Sequence, residues 1–420
     1  MTQNFATWCR HATGQASTVG GITTITIADR RNRLARRHHL APGTRAADVA
    51  AAADSVVGLH GTDPVTVYLS LAARVEGIDV AGVDRAMYDD RTVVRLLGMR
   101  RTVFTASYDV ARIIQASCAP SLASTERRTL ARAIVENGTD VDGDAWLDRV
   151  GAAALEVVER LGGEALATEI TPHVPEFSHK IVLGRGTKYE NPLTASSKVL
   201  FLLAVEGHLV RTRPRGTWVS SLYRWSRPES WLGAPLLGLE PIDAERQLLE
   251  RWLRAYGPGT MADLRWWTGW TLTRVKRALA GLQSTEVDLE GGGTGIVLAD
   301  DVAPAAPVEP WVALLPSLDP LAMGWTGRDW YLGAHRAPLF DYSGNIGPTV
   351  WCDGRIVGAW SQRPNGEVVF HLLEDIGDSA TAAVGAEAAR MQHWIGEARI
   401  SPPVPDPTPE RPHVGCCARH

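Results

Sequence analysis

The sequence predicts an α+β protein, with tandem winged-helix modules followed by a small C-terminal β-barrel-like domain. Three observations carry this. Residues 196–225 run from an apolar helix into a hairpin with an arginine-rich turn, "HLVRTRPRGTWVSSLY". Residues 244–300 repeat the plan: helices broken by Gly-Pro-Gly, then two β-like stretches about a glycine turn, "STEVDLEGGGTGIVLAD". From about residue 311 the texture becomes short β segments with Asp-Gly and Asn-Gly hairpin signals.

The elements follow in order. "ITIADRRNRLARRHHL" has apolar residues at helical spacing, among them Ile27, Leu34 and Leu40. "TRAADVAAAADSVVGLHG" is a second, Ala-rich helix ending near Gly58–Gly61. Asp63-Pro64 then starts the helix "PVTVYLSLAARV". Asp at the N-cap accepts an orphan N–H, and Pro has none to leave unpaired. A helix, a β-like "TVFTAS" and another helix follow, and "DAWLDRVGAAALEVVERL" is strongly periodic. After the β segments comes a helix, "ATAAVGAEAARMQHWIGEA". The expected segments are a flexible leader (1–23), a region with the polar motif (24–230), a further winged-helix module (231–305), the β domain (306–398) and a disordered Pro-rich tail (399–420).

Composition sets bounds. In 420 residues, 45% are hydrophobic, enough for real cores. No apolar run spans a bilayer, and the N-terminal stretch lacks a secretory apolar region. The five cysteines (Cys9, Cys118, Cys352, Cys416, Cys417) form no CxxC pair, which argues against a disulfide framework or structural zinc and for a cytoplasmic setting. Cys416, Cys417 and His413 are a weak metal pattern, and no metal or cofactor is expected.

Net charge is −4, yet basic clusters stand out. Residues 29–40 hold Arg36, Arg37, His38 and His39 among five arginines and two histidines. Arg100 and Arg101 precede "TVF". Arg211, Arg213 and Arg215 lie at the hairpin turn. These are candidate phosphate contacts, against the alternative of solvated helix ends and faces. "RWW" and "GW" (265–270) suit base stacking or an aromatic core.

The polar knot "LHGTDP" holds the chemistry-bearing residues. A neutral imidazole at His60 can take a proton from water, since the reference pKa of a histidine side chain lies near neutrality. Thr62 is a stiff hydroxyl two residues on, which an extended backbone points to the same side. Asp63 is a helix cap, and a second reading gives it a charge-stabilising role.

Four stretches, "LARRHHL", "VVGLHGTDPVTVYLSLAARV", "YGPGTMADLRWWTG" and "LLPSLDPLAMGW…GNIGPTVWCDGRIVGAW", resemble the bacterial AlkZ/YcaQ DNA glycosylases. The resemblance covers roughly residues 24–398. It implies tandem winged helices, a C-terminal β-barrel and removal of alkylated purines from double-stranded DNA. The family's Gln-x-Gln motif is replaced here by His60 and Thr62. That version resembles self-resistance glycosylases from producers of trioxacarcin-type, guanine-alkylating intercalators. The implied reaction is attack of water on the sugar of an N7-alkylguanine nucleotide, and with no lysine near the motif a monofunctional enzyme is expected. The implied catalytic residues are His60, Thr62 and Asp63. A monomer contacting DNA through Arg36, Arg37, His38, Arg100, Arg101, Arg211, Arg213 and Arg215 is expected. A winged-helix regulator or a non-catalytic adduct-binding protein is the alternative.

Overall fold

The structure is a computed structural model and describes residues 18–19, 22–186 and 190–400. The rest of the expected leader and residues 401–420 of the expected tail lie outside the described residues. So do Cys9, His413, Cys416 and Cys417. The chain divides into two compact units, one of residues 1–46 with 249–420 and one of residues 47–248. The first helix, expected to group with the motif region, belongs instead with the C-terminal half.

The first unit opens with β1 (Thr18–Val19) and β2 (Ile22–Ile25), which pair antiparallel. The last residues of the expected leader are thus strand, and the helix starts at Ile27 rather than at Ile25. Thr26 ends the strand and caps α1 (Ile27–Arg37), its hydroxyl accepting from the Asp29 N–H at 3.0 Å.

The second unit carries the polar knot. Here α2 (Val49–Ser55) leads to β3 (Leu59–His60) and α3 (Pro64–Ala72). There follow β4 (Val93–Leu97), β5 (Val103–Ser107), β6 (Glu164–Leu166), β7 (Lys180–Leu183), β8 (Asn191–Thr194), β9 (Val210–Pro214) and β10 (Tyr223–Ser226). Six of them make one sheet, ordered β3-β5-β4-β9-β10-β6. The return strand of the expected hairpin begins at Tyr223 rather than in "TWVSS", because Trp218 is drawn into the interior against Tyr68, with ring centroids 5.2 Å apart. The helices Tyr108–Glu136, Gly143–Arg160 and Ala195–Val205 pack about Trp146, Phe177 and Leu203.

The first unit resumes with the helices Met261–Thr268 and Leu272–Ala280 and the hairpin β11 (Ser284–Leu289) and β12 (Thr294–Leu298). β11 pairs in parallel with β2, a contact between segments over 250 residues apart that no local pattern announces. β13 (Val312–Leu315), β14 (Thr349–Cys352), β15 (Arg355–Gln362) and β16 (Val368–Leu372) form an antiparallel sheet. This corrects the barrel expectation. Among the described residues the sheet has four strands and stays open, with β13 and β16 as edges. The helix Asp378–Ile395 packs on both edge strands, so burial is achieved without closure. The Asp353-Gly354 turn has φ of 47° and 77°, the left-handed pair that a two-residue hairpin needs.

Candidate active site

The polar knot is placed by three local devices. Helix α2 ends where Val57 and Gly58 adopt φ of 55° and 96°, and the Gly58 N–H donates to the Ala53 carbonyl at 2.8 Å. A buried β-branched residue in the left-handed region is strained, and it lies three residues before His60. Second, Asp54 accepts from the Ser107 N–H at 3.2 Å and its hydroxyl at 2.7 Å, which ties α2 to the end of β5. Third, Leu59 and His60 lie opposite Thr105 and Phe104, and the Gly61 N–H donates to the Val103 carbonyl at 2.7 Å. A Cβ on Gly61 would lie 3.0 Å from Thr105 Oγ1 and 3.3 Å from the Phe104 carbonyl carbon. Glycine stands there because β5 passes that close.

His60 is therefore the last paired residue of β3, half-buried, with its ring centroid 6.3 Å from that of Phe104. Thr62 follows the last ladder bond and is exposed. Asp63 is half-buried and caps α3, accepting from the Val65 N–H at 3.1 Å. Burial pushes its carboxyl above the ordinary 3.8; the Val65 hydrogen bond and the charge of Arg95 pull it back.

The structure adds Arg95, which sequence reasoning missed. It sits mid-β4 and is 1% exposed. Its guanidinium donates to the Tyr223 hydroxyl and lies 4.6 Å from that ring's centroid. Desolvation lowers its pKa, opposed by Tyr88, Tyr68 and Asp63. The signal was a lone Arg inside the apolar run "TVVRLLG", a strand reading in which a charge must be buried. Tyr68 of α3 donates to Asp84, anchoring the helix whose cap is Asp63.

The basic candidates divide. Arg36, Arg37 and His38 belong to the first unit and are occupied there. Arg36 donates to the Ala306 and Pro307 carbonyls at 3.1 and 2.8 Å. Arg37 holds both oxygens of Asp301 at 2.6 and 2.7 Å and the Gly257 carbonyl at 2.9 Å. His38 is fully buried, 3.1 Å from the Ala255 carbonyl and edge-on to Tyr256. His38 is a packing residue, and burial removes it from any DNA contact. Trp267 and Trp270 are buried too, and Trp267 lies among Trp252 and Tyr256, the aromatic-core reading of that stretch.

In the second unit Arg100 and Arg101 form the β4–β5 turn with φ of 54° and 60°. Both are exposed, but Arg101 grips Glu126 through Nε at 2.9 Å and Nη2 at 3.0 Å. Arg213 pairs with Asp89 at 2.6 Å and Asp84 at 3.8 Å. Arg211 is half-buried against Tyr223 and Trp225, whereas Arg215 is exposed. Among the described residues no group of three or more His, Cys, Asp or Glu could hold a metal ion, and no helix is long and apolar enough to cross a membrane.

The second unit thus presents His60, Thr62 and Asp63 at a strand-to-helix junction. The family described as "DNA glycosylase AlkZ-like" matches residues 53–394, and the chain belongs to it. The "Interstrand DNA cross-link repair glycosylase" of Streptomyces sahachiroi is 29% identical over 212 residues, which is 48% of this chain. The match spans 56% of that protein, little more than half its length. The solved structure of the Streptomyces sahachiroi DNA glycosylase AlkZ superposes with a TM-score of 0.68 at 22% identity, over 88% of this chain and 97% of that one. That likeness concerns the fold.

Proposed function

We propose that the protein is a monofunctional DNA glycosylase that hydrolyses the N-glycosidic bond of N7-alkylated guanine in duplex DNA, with bulky, intercalated adducts as its substrates and self-resistance to a genotoxic antibiotic as its purpose. Family membership supports the reaction class. The single observation carrying the site is the placement of His60, Thr62 and Asp63 where β3 turns into α3. The helix–hairpin order of residues 196–226 and 241–298 supports winged-helix modules.

The chemistry follows from the substrate's charge. Alkylation at N7 makes the base cationic and the glycosidic bond weak. The enzyme must place a water and stabilise an oxocarbenium-like sugar. His60 takes the water's proton, Thr62 fixes that water, and the Asp63 carboxylate faces the developing positive charge. The lysine nearest in sequence to the motif is Lys180, so no Schiff-base step is included. Arg100, Arg211 and Arg215 hold the backbone. A large polycyclic adduct overfills a closed base pocket, so attack occurs with the base left near the stack. The protein acts as a cytoplasmic monomer. A second reading comes from the curated relative's name, in which the lesion is an interstrand cross-link.

Incubation with duplexes bearing small N7-alkylguanines, a bulky intercalating adduct or a cross-link tests this. Release of modified guanine with an alkali-labile abasic site is the expected result. Binding without release makes it an adduct-binding scaffold. Tight sequence-specific binding to undamaged duplex makes it a regulator.

A further inference from the structure

Arg95 on β4 and Arg211 on β9 are directly opposite each other across the sheet. Both guanidiniums lie by the Tyr223 ring, at 4.6 and 5.7 Å from its centroid. Neither forms an ion pair with a carboxylate among the described residues. Arg95 Nε and Nη2 are buried without a hydrogen-bond partner, and so is Thr105 Oγ1, directly opposite Arg95 on β5. Buried arginines ordinarily sit on a carboxylate, because an unpaired charge in the interior loses its hydration with nothing to replace it. Like charges opposite each other on neighbouring strands destabilise the pair further. Even arginines of this unit with exposed side chains sit on carboxylates, Arg101 on Glu126 and Arg213 on Asp89. The Asp63 carboxylate acts on Arg95 through charge alone, without an ion pair, and no carboxylate acts on Arg211, so the pair lacks a bound anion.

We propose that Arg95 and Arg211 are a phosphate site, with Arg211 contacting one backbone phosphate of the bound duplex and Arg95 behind it as a fixed positive charge oriented by Tyr223. The proposal rests on the glycosylase reading for its ligand. Arg211 retains an exposed edge, while Arg95 does not. Burial and the neighbouring Arg95 hold Arg211 down to about 10, so it is still charged at neutral pH. The row Leu59, Thr105, Arg95, Arg211 crosses β3, β5, β4 and β9. Three strand spacings, about 14 Å, separate β3 from Arg211. A duplex whose sugar lies at His60 carries phosphates well within that span. A planar, two-pronged donor suits a phosphate's two free oxygens better than a point charge does.

The test is the salt dependence of duplex binding by the full chain. Arg211→Met keeps the stem packed on Tyr223 and Trp225 but removes the charge. It should reduce the slope of log K against log salt by about 0.9, the release of one phosphate's counterion. Arg211→Lys should keep the slope and lose affinity only a few-fold. A scan of single neutral methylphosphonates along each strand of the duplex should find one position that weakens wild type several-fold and leaves Arg211→Met unaffected. Tyr223→Phe, which removes only the hydroxyl that orients Arg95, should weaken the same position. An unchanged slope in Arg211→Met, or equal losses at every scanned position in both proteins, overturns the site while wild type still binds and excises. A wild type that binds no duplex overturns the glycosylase reading and this site with it. Should Arg211→Met not fold, the scan on wild type against Arg211→Lys decides, since a lysine alters the loss only at the phosphate it touches.

Discussion

At the scale of the residue, His60, Thr62 and Asp63 occupy three different settings that adjacency in sequence blurs: a strand end, an exposed turn and a helix cap. His60 ends a strand and is half-buried, the setting for a base whose ring must stay oriented. His60→Ala should lower base release by about 100-fold with little change in duplex affinity, measured by single-turnover excision and by titration. Full activity in that variant removes His60 from the mechanism. Asp63 is a cap and, in the proposed mechanism, also a charge, and Asn separates the two. Asp63→Asn still caps and should leave the melting temperature unchanged, while Asp63→Ala should lose about 1 kcal/mol of stability. Because burial raises the Asp63 carboxyl above 3.8, the folded chain keeps that proton to higher pH than the unfolded chain. The group's contribution to stability therefore falls as pH rises through that window. A rate that needs the carboxylate falls as pH drops through the folded value. The pH–rate profile should show an acid limb above 3.8 that Asp63→Asn abolishes; a limb untouched by that change would clear Asp63 of a charge role.

At the scale of the element, the basic helix α1 shows how charge pattern misleads when partners are distant in sequence. Arg33 and Arg37 both reach Asp301, and Arg36 reaches the Ala306 and Pro307 carbonyls. Sequence spacing cannot reveal a carboxylate some 260 positions away, so the helix reads as a free basic face. The two possibilities predict different losses. Arg37→Ala should cost about 2 kcal/mol, read by urea unfolding, from charged hydrogen bonds left unmade. Its duplex affinity should match wild type; a salt-dependent loss would return α1 to the DNA contacts. The elements that were legible are those fixed by local chemistry: Asp63-Pro64 as a helix start, the glycine turn between β11 and β12, and the Asp-Gly turn between β14 and β15. β4 was not picked out, because its apolar run was bracketed by neither alternation nor a familiar turn, and the Arg100–Arg101 turn uses left-handed residues that are not glycine.

At the scale of the whole molecule, a net charge of −4 coexists with exposed arginines such as Arg100 and Arg215, and the proposed duplex affinity rests on such placements rather than on the sum. With a reporter base opposite a bulky adduct, little fluorescence gain should accompany binding, because the adducted base stays near the stack. Strong signal from full extrusion would contradict that mode of attack. The same preparation should release base in the presence of a chelator.

What the sequence by itself determined is the family, the position of the His-x-Thr-Asp motif and the local start and stop of the elements around it. These are carried by residues within a few positions of one another, where capping, turn geometry and motif spacing act. Only the tertiary structure decided which charges are occupied. It turned His38 into core, tied Arg37 to Asp301 and Arg213 to Asp89, left the four-stranded sheet open, and set Arg95 against Arg211 with neither in an ion pair. Whether a charge is neutralised depends on what the fold places opposite it, and strand pairing across more than a hundred residues sets that partner.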